Sequence, residues 1–272
     1  MSRKEDPVKA ALWRRILYSA WARPILLVAL LIVLWQLAIW IFRIPPYLIP
    51  APLEVVKQLV NEWPKLLKET LVTTYATLGG FALSILFGIP MALLIAYSRT
   101  VESFVYPLLV FSQSVPKVAI APLFVVWFGF GIIPKVIAAF LLGFFPVVVS
   151  TVVGFKSVER DMIDLARSMK ASRLQIFLRI SLPHALPSIF AGLKVSVTLA
   201  VVGAVVGEFV GSNSGIGYVL QIANGNFDLP LMFAALTILS LVGVILFALV
   251  DLVERLMIPW HASQRNDFGA TA

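Results

Sequence analysis

Residues 164–183 read DLARSMKASRLQIFLRISLP, with Arg167, Lys170, Arg173 and Arg179 set in a chain that is otherwise strongly apolar. Upstream, Glu159 and Asp161 fall where a helix over VERDMIDLARSM has its first turn, and negative charge there favours the helix dipole. Ser157 is placed to cap that helix. Met162, Leu165, Ala166 and Met169 recur at three- and four-residue spacing and predict one apolar stripe. A second start follows at once, because Ser172 and Gln175 form an S-x-x-Q capping box before LQIFLRI. Leu182-Pro183 is expected to end that second helix, since a residue before proline resists helical geometry. The stretch therefore predicts helix, tight corner, helix. A solvated connector needs no apolar stripe and no cap at both starts. Pattern alone leaves two uses open, docking into a groove of another protein or lying on lipid.

The rest of the chain says what this hairpin interrupts. Of 272 residues, 60% are apolar and only 13% charged, far from ordinary soluble usage. Long uncharged runs without two-residue alternation predict an all-α polytopic membrane protein and not a β-barrel. Spans are expected at about 24–42, 70–97, 104–130, 132–153, 185–211 and 231–258, each able to cross a ~30 Å core. The first run, ILLVALLIVLWQLAIWIF, is too long for a signal-peptide core and reads as a retained span. The absence of cysteine excludes disulfides, thiol catalysis and Cys-ligated metals.

Basic residues sort by side. Arg3, Lys4, Lys9, Arg14, Arg15, Arg23, Arg99, Lys156, Arg160, Arg167, Lys170, Arg173, Arg179, Arg255 and Arg265 share one face; Arg43, Lys57, Lys65, Lys68 and Lys135 fall on the other. This bias predicts both termini and the 154–184 loop in the cytoplasm. It also explains the net charge of +8 without nucleic acid as a partner. The expected organisation is a cytoplasmic segment 1–23, a transmembrane domain 24–258 containing the segment 157–183, and a cytoplasmic tail 259–272. On the outer side, PAPLEVVKQLVNEW predicts an amphipathic helix with Leu53, Val56, Leu59, Val60 and Trp63 on one side. GSNSGIGYVLQIANGNFDLP predicts a structured, partly re-entrant loop.

Within the spans, Ser112, Gln113, Ser114, Pro116 and Lys117 form a polar break near mid-depth. A central lysine costs ~2.5–3.5 kcal/mol on insertion scales, which suggests a wet path; snorkelling to the interface is the competing reading. A lysine facing such a path would favour an anionic solute. Ser196, Ala200, Gly203, Gly207 and Gly211 make a small-residue stripe, open to packing within one chain, to contact between two copies or to a pore-facing role. Glu208 precedes the glycine-rich loop at Gly211, Gly215 and Gly217, and is expected to hold the loop's N–H groups or to act in an outer gate. Lys194 is expected to snorkel, and Trp35, Trp40, Trp63, Trp127 and Trp260 to anchor span ends.

The hairpin resembles the E-A-A-x3-G-x9-I-x-L-P signature of bacterial ABC importer permeases. Asp164, Leu165 and Ala166 stand at the first three positions, and Ile180, Leu182 and Pro183 at the last. PPYLIPAP, VPKVAIAPLFVVWFGFG and GEFVGSNSGIGYVL are similar to the nitrate/taurine/sulfonate-type members of the family, the binding-protein-dependent inner-membrane components. The resemblance implies a type I importer fold in the bacterial inner membrane, with the hairpin as a cytoplasmic coupling helix. Asp164, Leu165, Ala166, Met169, Lys170, Ile180, Leu182 and Pro183 would then contact the ATPase. It further implies a second copy of this chain, two ATPase subunits that bind ATP and Mg, and an extracytoplasmic solute-binding protein. One position departs from the signature: Lys170 stands where the family has glycine. If the backbone stays left-handed there, lysine costs ~1 kcal/mol or more. No GxxxxGK[ST] occurs in the chain, so no cofactor is expected in it. A stand-alone, ion-driven secondary transporter is the rival, but it calls for midplane carboxylates and repeated halves that the sequence does not display. An intramembrane hydrolase has no support, because the two histidines, His184 and His261, pair with no nucleophile.

Overall fold

The computed structural model describes residues 22–260, and every regular element among them is helical. The expected termini, including Arg3 to Arg15, His261 and Arg265, lie outside the described residues. In chain order the helices are α1 (Ala22–Phe42), α2 (Pro52–Asn61), α3 (Trp63–Tyr97), α4 (Arg99–Ser114), α5 (Lys117–Phe128) and α6 (Ile132–Lys156). They continue with α7 (Arg160–Ser168), α8 (Arg173–Ile176), α9 (Leu182–Gly211), α10 (Ile216–Gly225) and α11 (Leu229–Met257). A π-turn, Phe177–Ser181, joins α8 to α9.

The centre of the fold is a three-helix bundle of α3, α6 and α9, cut to fit by small residues. A Cβ at Gly203 would lie 2.6 Å from the Ala138 carbonyl oxygen, and one at Gly80 2.7 Å from the Phe140 nitrogen. A Cβ at Gly207 would lie 2.8 Å from the Lys135 Cα. With Ala76, Ala139, Ala200 and Ala204 fully buried alongside, the backbones themselves are in contact. Apolar side chains gain little by associating in lipid, so close van der Waals approach of this kind is what holds such helices together. The glycine stripe of α9 thus faces α6 of the same chain over Gly203 and Gly207.

Three expectations are corrected. The third expected span is not one helix: α4 and α5 meet at Val115-Pro116 with a bend of 93°, so five single helices and one broken pair are long and apolar enough to span. Proline at that point supplies no N–H and clashes with a continuing turn. Conversely, Pro183 does not end its helix, which runs without a break from Arg173 to Gly211. The π-turn absorbs it: Leu182 N–H donates to the Phe177 carbonyl, five residues back, and the widened turn makes room for the ring. Ser157 does not cap α7. It closes α6, where its hydroxyl donates to the Gly154 carbonyl, and Glu159 takes the cap position.

Outside the central bundle, α2 buries Val55 against Leu231, Ala234 and Ala235 of α11, while Leu53, Val56, Val60 and Trp63 face outward. Four residues of the expected stripe are therefore exposed, whereas the fifth, Leu59, packs with Val55 against this cluster. The stretch GIGYVLQI is helical and opens α10, whose Ile216, Val219, Leu220 and Ala223 are buried beside α11. Trp35 does not end a span; it packs on Phe233 with ring centroids 5.7 Å apart.

Candidate functional site

At one end of the bundle the hairpin forms with the expected corner. Ser172 Oγ accepts from Gln175 N–H, and Gln175 Oε1 accepts from Ser172 N–H, completing the capping box. Helix α7 closes by a Schellman motif: Ala171 N–H donates to the Ala166 carbonyl and Lys170 N–H to the Arg167 carbonyl. Lys170 has φ +59°, so lysine occupies the left-handed position with the glycine-type backbone intact. The apolar stripe divides. Ala166 is buried against the chain's own body, while Met162, Leu165 and Met169 are 45%, 65% and 76% exposed. Ile180 and Leu182 are half-buried, and Pro183 sits in the first turn of α9. Beneath the hairpin, Phe155 at the end of α6 stacks on Phe177 of the π-turn at 5.8 Å, and Tyr97 at the end of α3 lies 6.1 and 6.3 Å from these rings. Lys156 pairs with Glu102 of α4. The hairpin is thereby fastened to α3 and α6, and α6 in turn to α4.

At the α4–α5 junction, the 93° bend opens a cavity of about 360 Å³ lined by Gln113, Pro116, Lys117, Leu142, Phe145 and Leu199, among others. Lys117 Nζ donates to Gln113 Oε1 at 2.6 Å. Two of the five residues of the sequence break, Ser112 and Ser114, are exposed away from it. A larger cavity of about 660 Å³ lies between α9 and α11 but is nearly all apolar. Its Thr198 and Ser240 hydroxyls are spent on carbonyls of their own helices.

The opposite end holds a buried polar network. Glu208 is fully buried and accepts from Gly217 N–H at 2.8 Å and from Thr73 Oγ1 at 2.9 Å. Ile216 N–H donates to the same threonine oxygen. Lys135, 2% exposed, lies 3.9 Å from the Glu208 carboxylate and donates to the Ser214 carbonyl and hydroxyl. Glu69 accepts from Gly215 N–H at 2.5 Å. The loop after α9 is thus tied to α3, α6 and α9 at once. A side chain at Gly215, where φ is +102°, would collide with the Glu208 carboxylate. This is why glycine is needed there.

A profile described as "Binding-protein-dependent transport system inner membrane component" matches residues 84–259, well over half of the chain. The chain belongs to this family. The permease is 41% identical over 242 residues to the formylaminopyrimidine transport permease protein ThiX of Halalkalibacterium halodurans, covering 89% of this chain and 96% of that one. It is 38% identical over 252 residues to the riboflavin transport system permease protein RibX of Chloroflexus aurantiacus, covering 92% and 94%. It is 31% identical over 246 residues to the putative aliphatic sulfonates transport permease protein SsuC of Bacillus subtilis, covering 89% of each. In fold it is similar to the inward-facing MetNI methionine ABC transporter, with TM-score 0.63 at 17% identity over 72% of this chain and 97% of that one. The type I importer architecture expected from the motifs is the observed one.

Several polar residues of the permease carry no mark in its sequence. Glu69 and Thr73 join the network from α3, more than a hundred residues from the groups they bond. Lys135 reads as one outer basic charge among others, yet it is buried. Lys194 does not snorkel alone: it pairs with Asp251 and Glu254 of α11, each at 2.5 Å, and Arg255 pairs with Asp251. A carboxylate one helical turn from another near the end of a span is the signal that marks such a partner.

Proposed function

We propose that two copies of this permease form the translocation path of an ATP-driven importer, with one ATPase seated on each hairpin and solute delivered by a binding protein. The observation that carries the reading is the outward row Met162, Leu165 and Met169, three large apolar side chains on a short helix and its C-cap that the other described residues leave uncovered. A groove on a partner supplies the missing contact. The aromatic stack of Tyr97, Phe155 and Phe177 gives displacement of the hairpin a close-packed route into α3, α6 and α9. The coupling contacts are Met162, Asp164, Leu165, Met169 and Lys170 directly, with Ala166, Ile180, Leu182 and Pro183 shaping the corner.

The cavity at the α4–α5 bend is the path site. Lys117 and Gln113 offer donors to an acidic or carbonyl oxygen, and the remaining wall is apolar. A small, anionic solute fits that chemistry, in keeping with a relative named for aliphatic sulfonates. The Glu208 network serves as the frame of the outer gate.

Reconstitution decides. In proteoliposomes, uptake is expected only when the ATPase, the binding protein and ATP are all supplied. Uptake by the permease alone on a proton or sodium gradient would replace this reading with that of a secondary transporter.

A further inference from the structure

The left-handed corner that closes α7 at Lys170 occurs a second time, at the far end of the molecule. Helix α10 ends with Asp228 N–H donating to the Ala223 carbonyl and Phe227 N–H to the Asn224 carbonyl, again a Schellman motif. Its left-handed residue is Phe227, with φ +56°. A bulky aromatic is a true outlier in that region, where glycine or asparagine is at ease. Gly225 and Asn226 stand immediately before it, so suitable residues lie within two positions. Nor does the side chain repay the strain by packing. Phe227 is 83% exposed, the highest value among the large apolar residues described. The backbone that carries it is nonetheless held. Asp228 Oδ1 caps the next helix by accepting from Leu231 N–H, so the corner is clamped on both sides of the ring. Strain held by its surroundings with no gain inside the fold points to a contact outside it.

We infer that Phe227 is the anchor by which the permease engages its solute-binding protein, inserting into an apolar pocket on that partner. The inference rests on the orientation and partner proposed above and adds the point of contact. The setting favours a protein over lipid. Gln221, Asn224 and Asn226 around the ring are exposed, uncharged and hydrogen-bonding, a rim such as surrounds a buried aromatic in a protein interface. A residue held at the bilayer interface is more commonly tryptophan or tyrosine, whose polar edge meets water. No left-handed corner is required to place it there.

Two variants of the complete transporter in lipid vesicles test this. Phe227→Gly keeps the corner and relieves it. It is expected to raise the binding-protein concentration for half-maximal ATPase stimulation about tenfold or more, with the basal and maximal rates unchanged. Because the chain has no cysteine, Asn226→Cys can carry a single polarity-sensitive thiol label beside the intact Phe227 ring. Its emission is expected to match that of a water-exposed dye in vesicles and to shift to the blue only when binding protein is added. An unchanged half-maximal concentration in the glycine variant would overturn the inference. So would blue emission before binding protein is added, which marks a lipid anchor, or no shift after it. Failure of the unmodified transporter to respond to any binding protein would instead strike at the proposed function.

Discussion

Replacing Lys135 by methionine strands the Glu208 charge in the most enclosed part of the permease. Glu208 is fully buried and Lys135 only 2% exposed, so water cannot substitute for the ammonium group. The carboxylate would keep two neutral donors, Gly217 N–H and Thr73 Oγ1, but lose its buried counter-charge. Removing one member of a buried pair costs up to about 3–5 kcal/mol, and less where the stranded carboxyl takes up a proton. Glu208→Gln should be milder, because Lys135 retains both Ser214 oxygens. In the double variant Lys135→Met/Glu208→Gln neither charge remains. Its loss should fall short of the summed single losses by about 0.5–3 kcal/mol, the range found for residues in one network. Unfolding in mixed detergent micelles, followed by circular dichroism across a denaturing-detergent series, gives the three values. Additivity within about 0.5 kcal/mol, or a single-variant loss for Lys135→Met below about 1 kcal/mol, would show that the pair does not hold the loop.

Other perturbations bear on separate parts of the account. Lys117→Ala should leave the fold intact but weaken the dependence of ATPase stimulation on solute about tenfold or more in the full complex; an unaltered dependence removes Lys117 from the path. Gly203→Val should destabilise by more than the ~1–3 kcal/mol usual for overpacking, because its Cβ meets the backbone of Ala138 and Ala139. Gly243→Ala, with nothing within 4 Å, is the control in the same unfolding assay and should stabilise slightly, by up to about 1 kcal/mol. Lys170→Gly should relieve about 1 kcal/mol at the corner, seen as roughly fivefold slower amide exchange over α7; unchanged exchange would mean that the left-handed lysine is unstrained.

What can be read from the sequence is what depends on neighbours along the chain. Hydropathy locates the spans, and the Ser172–Gln175 box follows from spacing within a few residues, whereas the left-handed position at Lys170 is implied only by the resemblance to a signature with glycine there. Pro116 marks a break, but its 93° bend depends on how α4 and α5 lie against the other helices, which no local rule contains. Pro183 misleads for the opposite reason. The rule that a residue before proline leaves the helix is overridden by a π-turn held under Tyr97 and Phe155. Buried charges are the least legible. Lys135 and Glu208 are 73 positions apart (208 − 135), and Lys194 and Asp251 are 57 apart, so each looks like a lone charge until the fold pairs them. Counting charges by side treats Lys135 as one loop residue among several and carries no information on burial. On α7, periodicity groups Ala166 with Leu165 and Met169, whereas the corner turns Ala166 inward and leaves the other two facing out.

The central claim is that the hairpin is the seat of an ATPase on the cytoplasmic side. A cysteine placed at Leu165, the sole thiol in this chain, reports on it through an impermeant maleimide in sealed vesicles of known orientation. Labelling is expected only in inside-out vesicles, and to be suppressed when the ATPase subunit is bound. Labelling in right-side-out vesicles, or equal labelling with and without the ATPase, would contradict it.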